Sequence, residues 1–189
     1  YMVFASKGTT GNMSLSSTEL GNITASSLTI GDGTNGNIVV SGVASNNSDQ
    51  FGRLTLNATA SNSSVVFGTA DSTFQGLEVN AENGITLSSS LTTNGATNLI
   101  SDSDGDGAGN FSISSGKTLT TNNNALTITS NSMSFNSTGR ITSGTASTTL
   151  KVSDSGTIGL GNTSGNFSLT NSDLALITAG GLIIGDTTN

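Results

Sequence analysis

Apolar and small polar positions alternate in short bursts along the whole chain. The pattern reads Met13-Ser14-Leu15, Leu28-Thr29-Ile30, Ile38-Val39-Val40, Leu54-Thr55-Leu56 and Val65-Val66-Phe67 in the first third. It continues as Ile85-Thr86-Leu87, Phe111-Ser112-Ile113, Leu126-Thr127-Ile128, Met133-Ser134-Phe135, Phe167-Ser168-Leu169 and Leu182-Ile183-Ile184. A period of two predicts β-strands with both apolar side chains on one face. Clusters of Gly, Asn, Ser, Thr and Asp separate the bursts and predict turns. No ten-residue stretch holds a 3.6 period, so no helix is expected.

Short strands with two inward residues each fit antiparallel sandwich modules or a solenoid, and weak hydrophobicity leaves disorder as a third reading. The absence of Pro favours the solenoid, because each strand N–H there pairs with a neighbouring coil. The load of Ser, Thr and Asn points the same way, since stacked coils bring like polar side chains above one another. The expected fold class is therefore all-β, a right-handed parallel β-solenoid (β-helix) running continuously over residues 1–189. Strand spacing suggests about 20 residues per coil and roughly nine coils, a rod of about 45 Å at ~4.8 Å per coil.

A longer repeat overlies the short one. Residues 11–35 match 165–189 at a fixed offset of 154, with 14 identities in 25 positions. The matches include Leu15, Leu20, Ile23, Leu28, Ile30, Gly31 and Asp32 with Leu169, Leu174, Ile177, Leu182, Ile184, Gly185 and Asp186. Self-similarity at a fixed period marks a repeat architecture. The expectation is one period, plus overlap, of a longer array.

Composition narrows the chemistry. Charged residues make up 9% of the chain, against about 25% in ordinary globular domains. There is no Cys, hence no disulfide or thiolate chemistry, and no His, the usual general base and metal ligand. Net charge is −7. The five basic residues, Lys7, Arg53, Lys117, Arg140 and Lys151, are scattered and form no stripe for nucleic acid. No apolar run approaches the ~18 residues of a membrane span, so membrane insertion is not expected.

The stretch from Leu15 to Gly42 resembles a motif of large bacterial exoproteins of the filamentous-haemagglutinin-like kind. The positions that carry it are Leu15, Glu19, Leu20, Ile23, Thr24, Ala25, Leu28, Ile30, Gly31, Gly36 and Ile38. Residues 83–130 also look like the repetitive passenger of that group. The resemblance implies a β-helical rod segment of a giant protein, secreted through a dedicated outer-membrane partner pore. It further implies an extracellular or cell-surface location and a role in adhesion, biofilm matrix or filament formation. Partners would be further copies of the repeat, covalent or from neighbouring subunits, and surface glycans.

One motif points to bound ions. Asp102, Asp104 and Asp106 alternate ahead of Gly107, as in the first half of an Asp-x-Asp-x-Asp-Gly calcium loop. The twelfth position is Ile113, where such a loop carries Glu, and no helices flank it. The alternative is a polar turn in which Asp and Gly serve local geometry. Calcium is the one cofactor suggested, and a calcium-stabilised glycan-binding module is the alternative function. Asn-x-Ser/Thr sequons at Asn12, Asn22, Asn46, Asn57, Asn62, Asn110, Asn136, Asn162 and Asn166 are candidate glycan acceptors. A polysaccharide-active enzyme is disfavoured, because the remaining acids are isolated and the nearest pair, Glu78 and Glu82, spans a turn; no catalytic residue is expected. Thr-x-Thr pairs, the mark of a flat ice- or glycan-binding plane, are rare, with Thr127-Ile128-Thr129 the clearest example.

Overall fold

The alternating bursts become strands, and every strand pairing among the described residues is parallel. The computed structural model describes residues 2–4 and 13–187. It is an all-β parallel solenoid of about five turns, with 6% helix. Each coil passes through three stacked faces. The first comprises Leu28–Asp32, Arg53–Ala58, Gly76–Ala81, Thr97–Ile100, Leu126–Ser130, Ser147–Val152 and Gly181–Ile184. The second runs, in spatial order, from Met13–Leu15 through Met2–Phe4, Ile38–Val40, Val65–Phe67, Ile85–Leu87 and Asn110–Ile113 to Ser132–Ser134. The third stacks Ser72–Phe74, Leu91–Thr93, Thr118–Thr120, Arg140–Thr142 and Ile177–Thr178. Ile158–Leu160 and Phe167–Leu169 pair as a separate two-stranded sheet.

Register turns the alternation into continuous rows. Ile30, Leu56, Val79, Leu99, Ile128, Leu150 and Ile184 follow one another across the first face. Ile38, Val65, Ile85, Phe111 and Met133 do so across the second. The two rows meet inside the coil, and Phe51, Phe67, Phe74, Phe111 and Phe167 are fully buried among them. Burial of one such side chain is worth about 1.5–3 kcal/mol, and each coil contributes several. The expected inward pairs are buried along the middle of the stack, whereas Met13, Leu160 and Leu182 are exposed. Met13 and Leu182 lie on the outermost strands of their sheets, and Leu160 on the separate pair.

Three expectations are corrected. Coils are not uniform: the step from Leu77 to Thr97 takes 20 residues and that from Thr148 to Leu182 takes 34. The stack therefore has about five turns rather than nine. Seven strands on the first face span six steps of about 4.8 Å, or roughly 29 Å. Part of the variation sits in the corners, where one residue, Asn131, joins Leu126–Ser130 to Ser132–Ser134, but residues 101–109 join Thr97–Ile100 to Asn110–Ile113; the 34-residue step also holds the separate pair Ile158–Leu160 and Phe167–Leu169. The second correction is helical. Ser17–Leu20 and Asn171–Leu174 each form one turn of α-helix. Each is closed by a capping box, Ser16 with Glu19 and Thr170 with Asp173, in which side chain and backbone bond reciprocally. These two helical turns occupy matched positions of the 154-residue repeat. Leu28 and Leu182, also matched, occupy the same row of the first face. Third, the small polar side chains form coil-to-coil contacts more often between unlike partners than as ladders of identical residues. Asn80 Nδ2 donates to Asn57 Oδ1 at 2.9 Å and Asn122 Nδ2 to Asn94 Oδ1 at 2.8 Å, but Ser112 meets Thr86 and Ser115 meets Thr138.

Corners are closed by buried hydroxyls. Thr93, Thr121 and Ser143 are fully buried where the third face turns into the first. Thr93 Oγ1 bonds Thr97 Oγ1 at 2.6 Å, Thr121 Oγ1 donates to the Asn124 carbonyl, and Ser143 Oγ donates to the Ala146 carbonyl. A buried polar group needs such a partner. Inward and outward positions should respond differently to truncation. Phe67→Ala should cost about 3–5 kcal/mol, and Thr55→Ala, outward on the first face, should stay within about 0.5 kcal/mol. Urea-denaturation midpoints of the two variants check this.

Candidate functional site

The longest of the corners between the first and second faces, residues 101–109, carries the densest chemistry. Ser101 anchors its start by accepting from Gly84 N–H at 2.8 Å. A Cβ on Gly109 would overlap the Ser101 carbonyl, so only glycine lets the loop close on itself. Gly105 and Gly107 hold φ of 69° and 83°, a left-handed conformation that glycine adopts without strain. The loop reaches both ways along the stack. Ser103 N–H donates to the Ala81 carbonyl in the coil below, at 3.0 Å. Ser153 Oγ, two coils above, donates to Asp102 Oδ2 at 2.5 Å.

Asp102, Asp104 and Asp106 do not share one role. Asp102 is only 3% exposed. Its Oδ2 accepts from Ser153 and from Gly107 N–H at 3.1 Å. Its Oδ1 is buried without a hydrogen-bond partner. Asp104 and Asp106 are exposed, and Asp106 Oδ1 accepts from Ala108 N–H at 2.9 Å. A further carboxylate joins them. Oxygens of Glu82, Asp104 and Asp106 lie within 4.8 Å of one another. Glu82 Oε2 is likewise buried and without a partner.

Register explains the arrival of Glu82. Ile100 pairs with Asn80, an offset of 20 residues. Just past these strands the Ser103 N–H bond to the Ala81 carbonyl sets the loop over Glu82, the next residue. Asp154 borders the far side, its Oδ2 3.6 Å from where a Gly107 Cβ would stand. Burial pushes the Asp102 carboxyl above the usual carboxylate range, and Asp104 and Asp106 push it the same way. The bonds from Ser153 and Gly107 pull it back. Arg53 pairs with Glu78 at 3.4 Å and Lys151 with Asp186 at 3.5 Å.

The sequons scatter over the surface. Asn22, Asn46, Asn62, Asn110, Asn136, Asn162 and Asn166 are exposed, whereas Asn57 is half-buried in its contact with Asn80. Asn12 and Lys7 lie outside the described residues, as do Gly11, Thr188 and Asn189 of the repeat. One surface feature escapes a reading along the chain. Thr73, Thr92, Thr120, Thr142 and Thr178 stack in a single outward column on the third face. It runs across the strands, so Thr-x-Thr spacing within a strand does not reveal it.

The chain matches no protein-family model, no curated protein and no solved structure.

If loop closure depends on backbone contact at Gly109, then Gly109→Ala should lower stability by about 2–4 kcal/mol through forced displacement of the Ser101 carbonyl. Gly33→Ala, where an added Cβ meets nothing within 4 Å, should change it by less than about 1 kcal/mol. Chemical denaturation of both variants gives the comparison.

Proposed function

We propose that this chain is a rod segment of a large exported surface protein, of the filamentous-haemagglutinin-like kind that residues 15–42 and 83–130 resemble. The observation that carries the reading is the unbroken row from Leu28 to Leu182, seven strands in one parallel register. Such a stack grows in one dimension, and its stability is a sum over neighbouring coils. It spans distance and displays polar outer faces, which suits adhesion, matrix building or filament formation at the cell surface. Among the described residues no helix is long and apolar enough to cross a membrane.

Glycan contact is a second reading, supported by the threonine column of the third face. Hydroxyls recurring at the strand spacing of about 4.8 Å offer a regular polar strip to a repeating sugar chain.

Joining a second copy of residues 28–181 to the first tests the rod. Small-angle scattering should show the long axis growing by roughly 29 Å, six strand spacings, with the cross-section unchanged. A cross-section that grows with added copies contradicts the proposal. Immunolabelling of intact source cells tests the location, and signal only after permeabilisation would oppose it. For the glycan reading, the Thr92→Lys/Thr120→Lys/Thr142→Lys variant should lose retention on immobilised polysaccharide that the parent shows.

A further inference from the structure

Glu82 Oε2 and Asp102 Oδ1 are both buried without partners; Glu82 shares a carboxylate cluster with Asp104 and Asp106, and Asp102 neighbours the same two aspartates. Buried polar atoms are normally satisfied, so each such orphan calls for a missing partner. Two ionised carboxylates cannot satisfy one another. Asp102, Asp104 and Asp106 crowd together, and Glu82 lies within 4.8 Å of the latter two. No Lys or Arg forms an ion pair with any of the four among the described residues. Like charges at this range either take up protons or take up a cation.

The donor set selects the cation. All four side chains offer hard, anionic oxygen, without nitrogen or sulfur, which suits calcium, magnesium or manganese rather than zinc or copper. Ligands presented by glycine turns suit calcium, which tolerates irregular geometry, better than magnesium, which demands a near-ideal octahedron.

We propose that Glu82, Asp102, Asp104 and Asp106 form a calcium-binding site that fastens the 101–109 loop to the coil beneath it. Asp102 offers Oδ1, its other oxygen being held by Ser153 and Gly107. Glu82 comes from the preceding coil, so one ion ties together residues 20 or more positions apart. The site stands independently of any rod function, since it concerns this chain's own corner.

The chelated full chain is titrated with calcium chloride by calorimetry, and with magnesium chloride in parallel. One calcium per chain should bind, and magnesium should bind at least about tenfold more weakly. At a hundredfold excess over the dissociation constant, the melting temperature should rise by about 5 °C or more. Glu82→Gln and Asp102→Asn should each abolish that rise. In chelator at pH 7 the same variants should melt at or above the parent, because each removes a repelling charge. Absence of binding heat, an unchanged melting curve with calcium, or a calcium response that survives in both variants would overturn the proposal. Equal affinity for magnesium would overturn the assignment to calcium. Asp104→Asn, at an exposed position, supplies a third variant should either buried substitution fold poorly.

Discussion

Every strand in this protein depends on a parallel neighbour in register. Three-residue strands such as Val65–Phe67 have no independent stability, and their backbone groups find partners only in the coils above and below. A slip of one residue would turn Val65 and Phe67 outward and Val66 inward. Register and core are therefore a single constraint: the rows stay apolar because the ladder is aligned, and the ladder is held by the rows. Proline would remove one rung and has no place in such a stack.

The same constraint gives the 154-residue repeat its meaning. Coils differ in length because corners absorb insertions, from Asn131 alone to the whole of 101–109. A long repeat stays in phase only if its length closes on a whole number of coils. Leu28 and Leu182 share a row six steps apart, as do Ile30 and Ile184. The first and last strands of the first face thus carry equivalent residues at equivalent positions, with matching one-turn helices at Ser17–Leu20 and Asn171–Leu174.

Much of this was legible in the sequence where two apolar residues flank a polar one. Leu54-Thr55-Leu56 and Ile85-Thr86-Leu87 announce strands because both outer residues face the core. The third face was not legible, because strands such as Leu91–Thr93 present one apolar residue and a buried hydroxyl. Coil length was hidden for a related reason: corner sequences of Gly, Asn and Ser look alike whether they hold one residue or nine. The helices are too short to show a 3.6 period, and their signal lay in the spacing of Ser16 with Glu19 and Thr170 with Asp173. At the acidic corner, the alternation of Asp102, Asp104 and Asp106 was visible, but the burial of Asp102 was not. Glu82 required the register, since nothing along the chain links it to a loop twenty residues on.

Spin-label distances along the first face test the in-register stack most directly. The chain has no cysteine, so pairs introduced by Thr55→Cys with Thr149→Cys and Thr29→Cys with Ile183→Cys label single rows. Thr55 and Thr149 stand four strands apart, and Thr29 and Ile183 six. Backbone separations should centre near 19 Å and 29 Å, multiples of the ~4.8 Å strand spacing. Distances that fail to scale with the number of intervening strands, as antiparallel hairpins would produce, contradict the account.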